Sequence, residues 1–220
     1  VPRQAIDVVY NGIEPAGAVN EEAVRALREE LRGGSQAPVV LNVARLHPQK
    51  GHPVLLRAVR DVPDAIFVIA GTGPEHDTLV RLADEFGVSP RVRFLGERTD
   101  VPALLAACDL FVLPSYFEGL PVSLLEAMRA GRPVVAADID GVNEVVSHEE
   151  TGLVFPAGDA GALAGAIRRL LACGEERARL ARAGQLRAAG FSRQAMVDGV
   201  AAVYDRLLNH SPRPVIRSRN

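Results

Sequence analysis

The sequence predicts an α/β fold, a doubly wound, parallel, six-stranded Rossmann-like sheet with C-terminal helices. Six short runs rich in β-branched residues alternate with longer amphipathic stretches. These runs are apolar throughout, which is typical of strands buried on both faces of a sheet, and helical connections between them favour parallel pairing. The 220 residues, 48% of them hydrophobic, and the net charge of −2 suit a folded domain and do not favour nucleic acid as a partner.

The predicted elements alternate between strand and helix up to the sixth strand and are helical after it. The predicted strands are VVLNVAR, AIFVIAG, VRFLG, DLFVLPS, PVVAAD and GLVF. The predicted helices are residues 51–60, 74–87, 101–107, 121–130, 159–172, 175–189 and 192–208.

Local signals support the helix starts and the domain boundary. Pro74 and Pro121 suit the first position of a helix, and Asp100 is a favoured N-cap residue. We expect residues 1–208 to form one domain. Residues 209–220 contain three arginines and two prolines without periodicity, which predicts a basic, disordered tail.

The cysteines and the N-terminus bear on the cellular compartment. Cys108 and Cys173 lie far apart in predicted helices without a C-x-x-C pair, so we expect both to be reduced, small and buried. The chain begins VPRQAIDVVYNG, without an initiator Met, a basic region or an apolar signal core. We therefore expect a part of a longer, cytoplasmic protein, whose other part could still attach it to a membrane surface.

Two basic residues follow the first strand. In an open parallel sheet, ligands bind outside the carboxyl ends of the strands. The first strand ends in VARLHPQKG, so Arg45 and Lys50 share one loop before a helix that opens near Gly51. Two cations beside a helix N-terminus favour a diphosphate, although two solvated surface cations would give the same pattern.

The second and third strands end in glycine-containing loops. Gly71 and Gly73 permit a tight turn or close approach to a ligand, and the loop of Gly96 and Glu97 presents backbone groups suited to a base edge. A Rossmann dinucleotide site needs G-x-G-x-x-G, whereas His76 occupies the position of the third glycine. A nicotinamide cofactor is therefore disfavoured, and plain turns are the simpler explanation of both loops.

Two carboxylates follow the fourth strand, in SYFEGLPVSLLEAMRAG. Glu118 precedes the predicted helix, and Glu126 lies one turn beyond Val122 on the same face. Unpaired N–H groups of Gly119, Leu120 and Val122 lie near the helix start, so we expect the two acids to flank a polar recess for hydroxyl and phosphate oxygens. Alternatively, Glu126 only favours the helix dipole and Glu118 is a surface acid.

Together these motifs resemble the C-terminal, nucleotide-sugar-binding domain of the retaining glycosyltransferases of family four, which have the two-domain GT-B fold. The resemblance runs from VVYNGI to ETGLVFPAGD and so covers nearly the whole chain. Its most specific elements are the E-x7-E of Glu118 and Glu126 and the R-x4-K-G of Arg45, Lys50 and Gly51. It implies one half of a GT-B enzyme, without the N-terminal domain that carries most of the acceptor site.

The resemblance also implies roles for these residues. Glu118 would hydrogen-bond the donor sugar, Glu126 would hold the ribose hydroxyls, and Arg45 and Lys50 would clamp the diphosphate and stabilise the charge that grows on it. Glu118, Arg45 and Lys50 are thus the expected catalytic residues. The other expected donor-binding positions are Gly71, Gly73, Gly96, Glu97, Gly119, Leu120 and Val122.

By the same resemblance, the expected donor is a UDP- or GDP-sugar, and neither a metal nor a further cofactor is expected. The acceptor would be a sugar, a lipid-linked group or a small molecule. Asp138-Ile139-Asp140 is similar to the metal-binding D-x-D of another glycosyltransferase fold, but we expect a loop there. Ala44 and Pro121 stand where the family often has glycine.

Two other functions compete with this interpretation. A non-catalytic half that only binds nucleotide sugar or a partner protein would keep the same motifs, although the intact cationic pair argues against a decayed site. A nicotinamide oxidoreductase would bind NAD, and the missing third glycine speaks against it.

Overall fold

The structure is a computed structural model that describes residues 6–14, 17 and 19–210. Its centre is one sheet of six strands, all predicted from the sequence. They are β1 (Val39–Val43), β2 (Ile66–Ala70), β3 (Val92–Gly96), β4 (Leu110–Leu113), β5 (Val134–Asp138) and β6 (Leu153–Pro156). The order is β3-β2-β1-β4-β5-β6, and every pairing is parallel, which confirms the doubly wound fold class.

The helices include all seven that the sequence predicts, with ends shifted by at most a few residues. Along the described chain they are α1 (Glu21–Arg32), α2 (His52–Arg60), α3 (His76–Glu85), α4 (Val101–Ala107), α5 (Val122–Arg129), α6 (Asp140–Asn143), α7 (Ala160–Ala172), α8 (Gly174–Ala188) and α9 (Arg193–His210). The last helix extends two residues into the predicted tail, and residues 211–220 lie outside the described residues.

The sequence analysis missed helix α1, although both of its ends carry local signals. The Asn20 side chain accepts hydrogen bonds from the N–H groups of Glu22 and Ala23, and Gly33 ends the helix in the left-handed conformation. Leu27 and Leu31 are its buried residues. Most of the helix surface is charged and the apolar stripe is narrow, but the stripe is regularly spaced and was an available signal that the sequence analysis did not use.

The helices cover both faces of the sheet and create two apolar cores. On one face, α2, α3 and α7 pack against side chains of the strands that include Val40 and Val112. On the other face, α1, α4 and α5 pack against side chains that include Leu41 and Phe111. The alternation of neighbouring strand residues between the two cores explains why each strand reads as apolar throughout.

The direction of winding reverses between β1 and β4. The chain proceeds outward from β1 through β2 to β3, returns through α4 to β4 beside β1, and proceeds outward again. A crevice forms at the carboxyl ends of the strands at such a point, and it is the usual ligand site of this class of fold.

The cysteines differ from the prediction in one respect. Cys108 is buried, and burial raises the pKa of its thiol to about 12. Cys173 is exposed, because it lies at the junction between α7 and α8 rather than within a helix, so its predicted burial is wrong. Among the described residues, no helix combines the length and the apolar character that crossing a bilayer requires.

Gly51 allows the start of α2 to lie directly against the end of β4. It is the N-cap of α2 with φ of +66°, and a Cβ at this position would overlap the carbonyl oxygen of Pro114. Both its conformation and its contact therefore require glycine.

We expect Gly51→Ala to destabilise the protein more than Gly87→Ala. Gly87 has φ of +67°, but a Cβ there would meet no atom within 4 Å. Both substitutions incur the left-handed penalty of roughly 1–2 kcal/mol, and only Gly51→Ala adds the overlap with Pro114. Urea unfolding of the two variants measures the difference, and equal losses would contradict the close contact.

Candidate functional site

An ion pair joins the loops that follow β1 and β4. Lys50 Nζ lies 2.6 Å from Glu118 Oε1, and the same oxygen accepts a hydrogen bond of 2.7 Å from Ser115 Oγ. The Glu118 side chain is only 8% exposed. The alternative in which Glu118 is only a surface acid is therefore wrong: Glu118 lies within the crevice and accepts hydrogen bonds from two donors.

The sequence contains a signal for Lys50 that the motif analysis did not use. Lys50 is the only lysine among the 220 residues, whereas every other basic side chain apart from histidine is an arginine. A compact ammonium group reaches a phosphate as a point charge, while a guanidinium group needs room for its planar fork. The structure places this single lysine in the crevice, where it pairs with Glu118.

Gln49 fastens the same two loops a second time. Its carbonyl oxygen accepts a hydrogen bond of 2.8 Å from the Tyr116 N–H, and its side-chain amide donates to the Phe117 carbonyl oxygen over 2.8 Å. These contacts fix the backbone just before Glu118. Sequence patterns gave no indication of them, because they join residues that are 67 and 68 positions apart.

Arg45 occupies the same loop as Lys50, but its side chain is more exposed. Its side chain is exposed and makes no ion pair or hydrogen bond within the described parts of the chain. The predicted pair of cations therefore consists of one held amine and one solvated guanidinium on the same side of the sheet.

Gly71 and Gly73 permit contact between two loops. A Cβ at Gly71 would overlap the Ala44 carbonyl oxygen, and one at Gly73 would overlap that of Leu46. The Leu46 N–H also donates to the Thr72 carbonyl oxygen over 2.8 Å. Packing of the loops after β1 and β2 thus explains both glycines.

Helix α3, which follows this loop, begins at His76, so the placement of Pro74 at its first position is wrong.

The loop after β3 is shaped by one hydrogen bond and one ion pair. Gly96 has φ of +68°, and its carbonyl oxygen accepts a hydrogen bond of 2.7 Å from the Gly71 N–H, while Glu97 is exposed. Arg98 donates to both Asp100 oxygens over 2.7 and 2.6 Å, which lowers the pKa of that carboxyl. Asp100 is the N-cap residue of α4, but its side chain does not cap the helix as predicted.

The start of α5 differs by one residue from the prediction. Pro121 is the N-cap residue, not the first helical residue, and its carbonyl oxygen accepts from Leu124 and Leu125. The N–H groups of three residues before and at the helix start make no hydrogen bond within the described residues, as predicted for the recess. They belong to Gly119, Leu120 and Val122.

Glu126 lies on α5, one turn beyond Val122. It is half-buried and has no hydrogen-bond partner among the residues that the structure describes, and burial raises the pKa of its carboxyl. Together with Val122 it lines a cavity of about 500 Å³ between α4 and α5, where Val101 and Pro102 supply apolar walls. Glu118 is not among the residues that line this cavity.

The acidic run after β5 has structural partners. Asp138 ends the strand and accepts a hydrogen bond of 2.6 Å from the Asn143 side chain, and Asp140 is the first residue of α6. The predicted loop is therefore a strand end followed by a short helix. Over residues 6–14, 17 and 19–210, no group of three His, Cys, Asp or Glu side chains is arranged to hold a metal ion.

Polar side chains beneath the crevice are a feature that the motif analysis missed. Asn42 on β1 and His52 at the start of α2 are both buried, and His52 Nε2 lies 3.1 Å from Asn42 Oδ1. Burial, with a smaller effect of the Lys50 charge, lowers the pKa of His52 to about 4, so the ring is neutral at pH 7. An asparagine within an otherwise apolar strand was the available signal.

Comparison with known sequences places this geometry in a family context. Residues 24–187, well over half of the chain, match the family model described as Glycosyl transferases group 1. The lipopolysaccharide core biosynthesis glycosyltransferase LpsE of Rhizobium meliloti is 38% identical over 186 residues, which are 84% of this chain and 54% of that protein. The D-inositol 3-phosphate glycosyltransferase of Mycolicibacterium smegmatis is 35% identical in an alignment of 232 positions, gaps included, that covers 98% of this chain and 51% of that protein.

A solved structure shows the same fold. Anabaena HepE, crystallised with UDP and glucose, aligns with a TM-score of 0.83 and 30% identity over 92% of this chain and 56% of its own. The chain thus spans about half the length of the relatives that it matches.

We expect acid to weaken folding specifically through His52. The pKa of this group falls from about 6.5 in the unfolded chain to about 4 in the folded one. The unfolded state therefore binds an extra proton below pH 6.5, so stability present above that pH is lost towards pH 4, by about 3 kcal/mol. Urea unfolding between pH 7 and 4.5, compared with His52→Gln, isolates this loss, and parallel pH curves would contradict it.

Proposed function

Since the chain belongs to the glycosyl transferases group 1 family, we propose that it forms the donor-binding half of a retaining glycosyltransferase. The whole enzyme transfers a sugar from a UDP- or GDP-sugar to an acceptor in glycan biosynthesis. One observation carries the proposal: Lys50 and Glu118 meet in the crevice where the winding of the sheet reverses, beside free backbone N–H groups. HepE, crystallised with UDP and glucose, supports a UDP-sugar as the donor.

The diphosphate binds at the loop after β1. Lys50 supplies a compact positive charge at the start of α2, and the exposed Arg45 folds over the phosphates from the same loop. Glu118 at present neutralises Lys50, so an arriving diphosphate competes with that carboxylate for the ammonium group. As the glycosidic bond breaks, negative charge grows on the diphosphate, and these cations stabilise it more strongly than in the ground state.

Glu118 binds hydroxyl groups of the donor sugar. Its Oε1 atom is held by Lys50 and Ser115, whereas Oε2 makes no hydrogen bond within the described residues. A carboxylate held through one oxygen presents the other in a fixed direction, which suits recognition of a hydroxyl pattern. The N–H groups of Gly119 and Leu120 donate to the sugar or phosphate oxygens beside it.

Glu126 binds the ribose hydroxyls. Its half-buried carboxylate lacks a partner within the described residues, and partial burial without hydrogen bonds is unfavourable for a charge. Two ribose hydroxyls would supply the missing donors, and the apolar walls at Val101, Pro102 and Val122 continue the cavity beyond them. The loop of Gly96 and Glu97 precedes α4 and contributes to base recognition.

The reaction proceeds without a metal ion in this proposal. Lys50, Arg45 and the N–H groups at the starts of α2 and α5 supply the positive potential that a divalent cation provides in other transferases. Gly71 and Gly73 act indirectly, because they pack the loop after β2 against Ala44 and Leu46 and so shape the Arg45 loop. The acceptor, a sugar, a lipid-linked group or a small molecule, is selected by the other half of the enzyme, which works in the cytoplasm or at its membrane surface.

Calorimetric titration of the chain with UDP, GDP and NAD tests the proposal. We expect one nucleoside diphosphate to bind and NAD not to bind. Lys50→Ala and Glu126→Ala should each weaken binding about tenfold or more, since each removes a charged group that meets the ligand. Arg60→Ala, which removes an exposed charge from the far end of α2, is the control and should change little. Absence of nucleotide binding, or unchanged binding after both substitutions, would refute this assignment.

Glu118→Gln should separate nucleotide binding from sugar binding. Removing the charge that neutralises Lys50 should tighten UDP binding several-fold, because the diphosphate no longer competes with a nearly buried carboxylate for the ammonium group. The same change should reduce any gain in affinity of UDP-glucose over UDP, because a neutral amide accepts hydrogen bonds from sugar hydroxyls less strongly than a carboxylate does. Glu85→Gln, at an exposed carboxylate on α3, is the control. Weaker UDP binding by Glu118→Gln would show that Glu118 does not restrain Lys50.

A further inference from the structure

The buried polar side chains of this protein gather beneath the crevice. Among the described residues, the polar residues with at most 1% of their surface exposed are Asn42, His52 and Ser115. Burial of a polar group is unfavourable unless hydrogen bonds compensate, so their common location calls for a reason beyond the stability of the core. Ser115 supports Glu118 directly, whereas Asn42 and His52 touch neither Lys50 nor Glu118.

The hydrogen bonds of the Asn42–His52 pair have a defined direction. The Asn42 amide Nδ2 donates to the Val112 carbonyl oxygen over 2.9 Å, because a carbonyl can only accept. Asn42 Oδ1 is therefore the acceptor towards His52, and His52 Nε2 must carry the proton. The result is a chain of two hydrogen bonds from α2 through β1 to β4.

This chain bridges the place where β1 and β4 cease to pair. The ladder between the two strands joins Val40 to Leu110 and Leu41 to Phe111, and the next link is the side chain of Asn42. After the end of β4, the chain runs through Ser115 to Glu118. On the other side of the bridge, His52 lies two residues after Lys50. The bridge thus connects the two loops that supply the ion pair.

We propose that Asn42 and His52 are positioning residues. They hold the loop after β1, which carries Lys50, and the loop after β4, which carries Glu118, at the separation required for donor binding. They act through Lys50 and Glu118 and do not touch the donor. The contact of Gly51 with Pro114 sets how closely the loops approach, and the two hydrogen bonds set their lateral register. The consequence for donor binding rests on the proposed function, whereas the effect on the ion pair does not.

The reactivity of the Lys50 amine measures directly whether the ion pair with Glu118 is formed. Lys50 is the only lysine, so acetylation of a lysine side chain by acetic anhydride occurs at this one position. The acetylated fraction of Lys50 is measured by mass spectrometry of its peptide after brief treatment of the folded chain. Glu118→Gln releases the amine and defines the fast limit. We expect Asn42→Leu and His52→Leu to raise the acylation rate several-fold towards that limit.

Two further variants separate positioning from general destabilisation. His52→Gln keeps a donor towards Asn42 and should retain the wild-type rate. Val39→Ala creates a cavity at the opposite end of the same strand, roughly 10 Å away, and should lower stability without changing the rate. If Asn42→Leu does not fold, the pair of His52 variants decides the question.

The outcomes are distinct. Wild-type rates in Asn42→Leu and His52→Leu, or a rate increase in Val39→Ala equal to theirs, would overturn the inference. An unchanged rate in Glu118→Gln would overturn it as well, because the ion pair to be positioned would be absent.

Nucleotide affinity then tests the link to function. We expect Asn42→Leu to weaken UDP or GDP binding about tenfold in the wild-type background but not in the Lys50→Ala background, since it acts through Lys50. Equal losses in both backgrounds would assign Asn42 a structural role only. If the wild-type chain binds neither nucleotide, the proposed function fails, while the acylation result still decides the positioning role.

Discussion

The close contact between the start of α2 and the end of β4 is the constraint on which the site depends. Gly51 has no side chain to separate the two segments, so Lys50 and Glu118, a few residues to either side, can form an ion pair inside the crevice. Any residue larger than glycine would push the loops apart. The hydrogen bonds of Gln49 act at the same junction, so several weak contacts hold one geometry.

The two acids of the E-x7-E pattern illustrate how position changes the chemistry of one residue type. Glu118 is nearly buried but bound by an ammonium and a hydroxyl group, which satisfy its charge. Glu126 is less buried, yet it has no partner in the described part of the chain, and the pKa of its carboxyl rises. A paired acid is held in place, whereas an unpaired one gains most from a ligand that donates hydrogen bonds.

The sequence predicted the six strands well because a strand buried on both faces carries a strong compositional signal. It singled out Lys50, Glu118 and Glu126 as candidate site residues, yet it did not reveal that Glu118 is paired with Lys50. That pairing depends on a contact between distant segments, as does the bridge of Asn42 to Val112. The sequence analysis also missed α1, although its residues, caps and periodicity all favour a helix, and it misjudged the exposure of Cys173.

The pairing of β1 with β4 also bears on how the protein acquires its site during folding. The Asn42 amide and the Val112 carbonyl are separated by 70 positions, whereas β1 and β2 pair residues as close as Val39 and Ile66. Closing the longer loop costs more chain entropy before any contact rewards it, and such non-local pairings slow folding. The crevice therefore depends on a pairing between segments far apart in the sequence rather than on any short segment. The crevice exists only in the state in which β1 and β4 are joined. A nucleotide that binds only that state would stabilise it relative to states in which the two strands are apart.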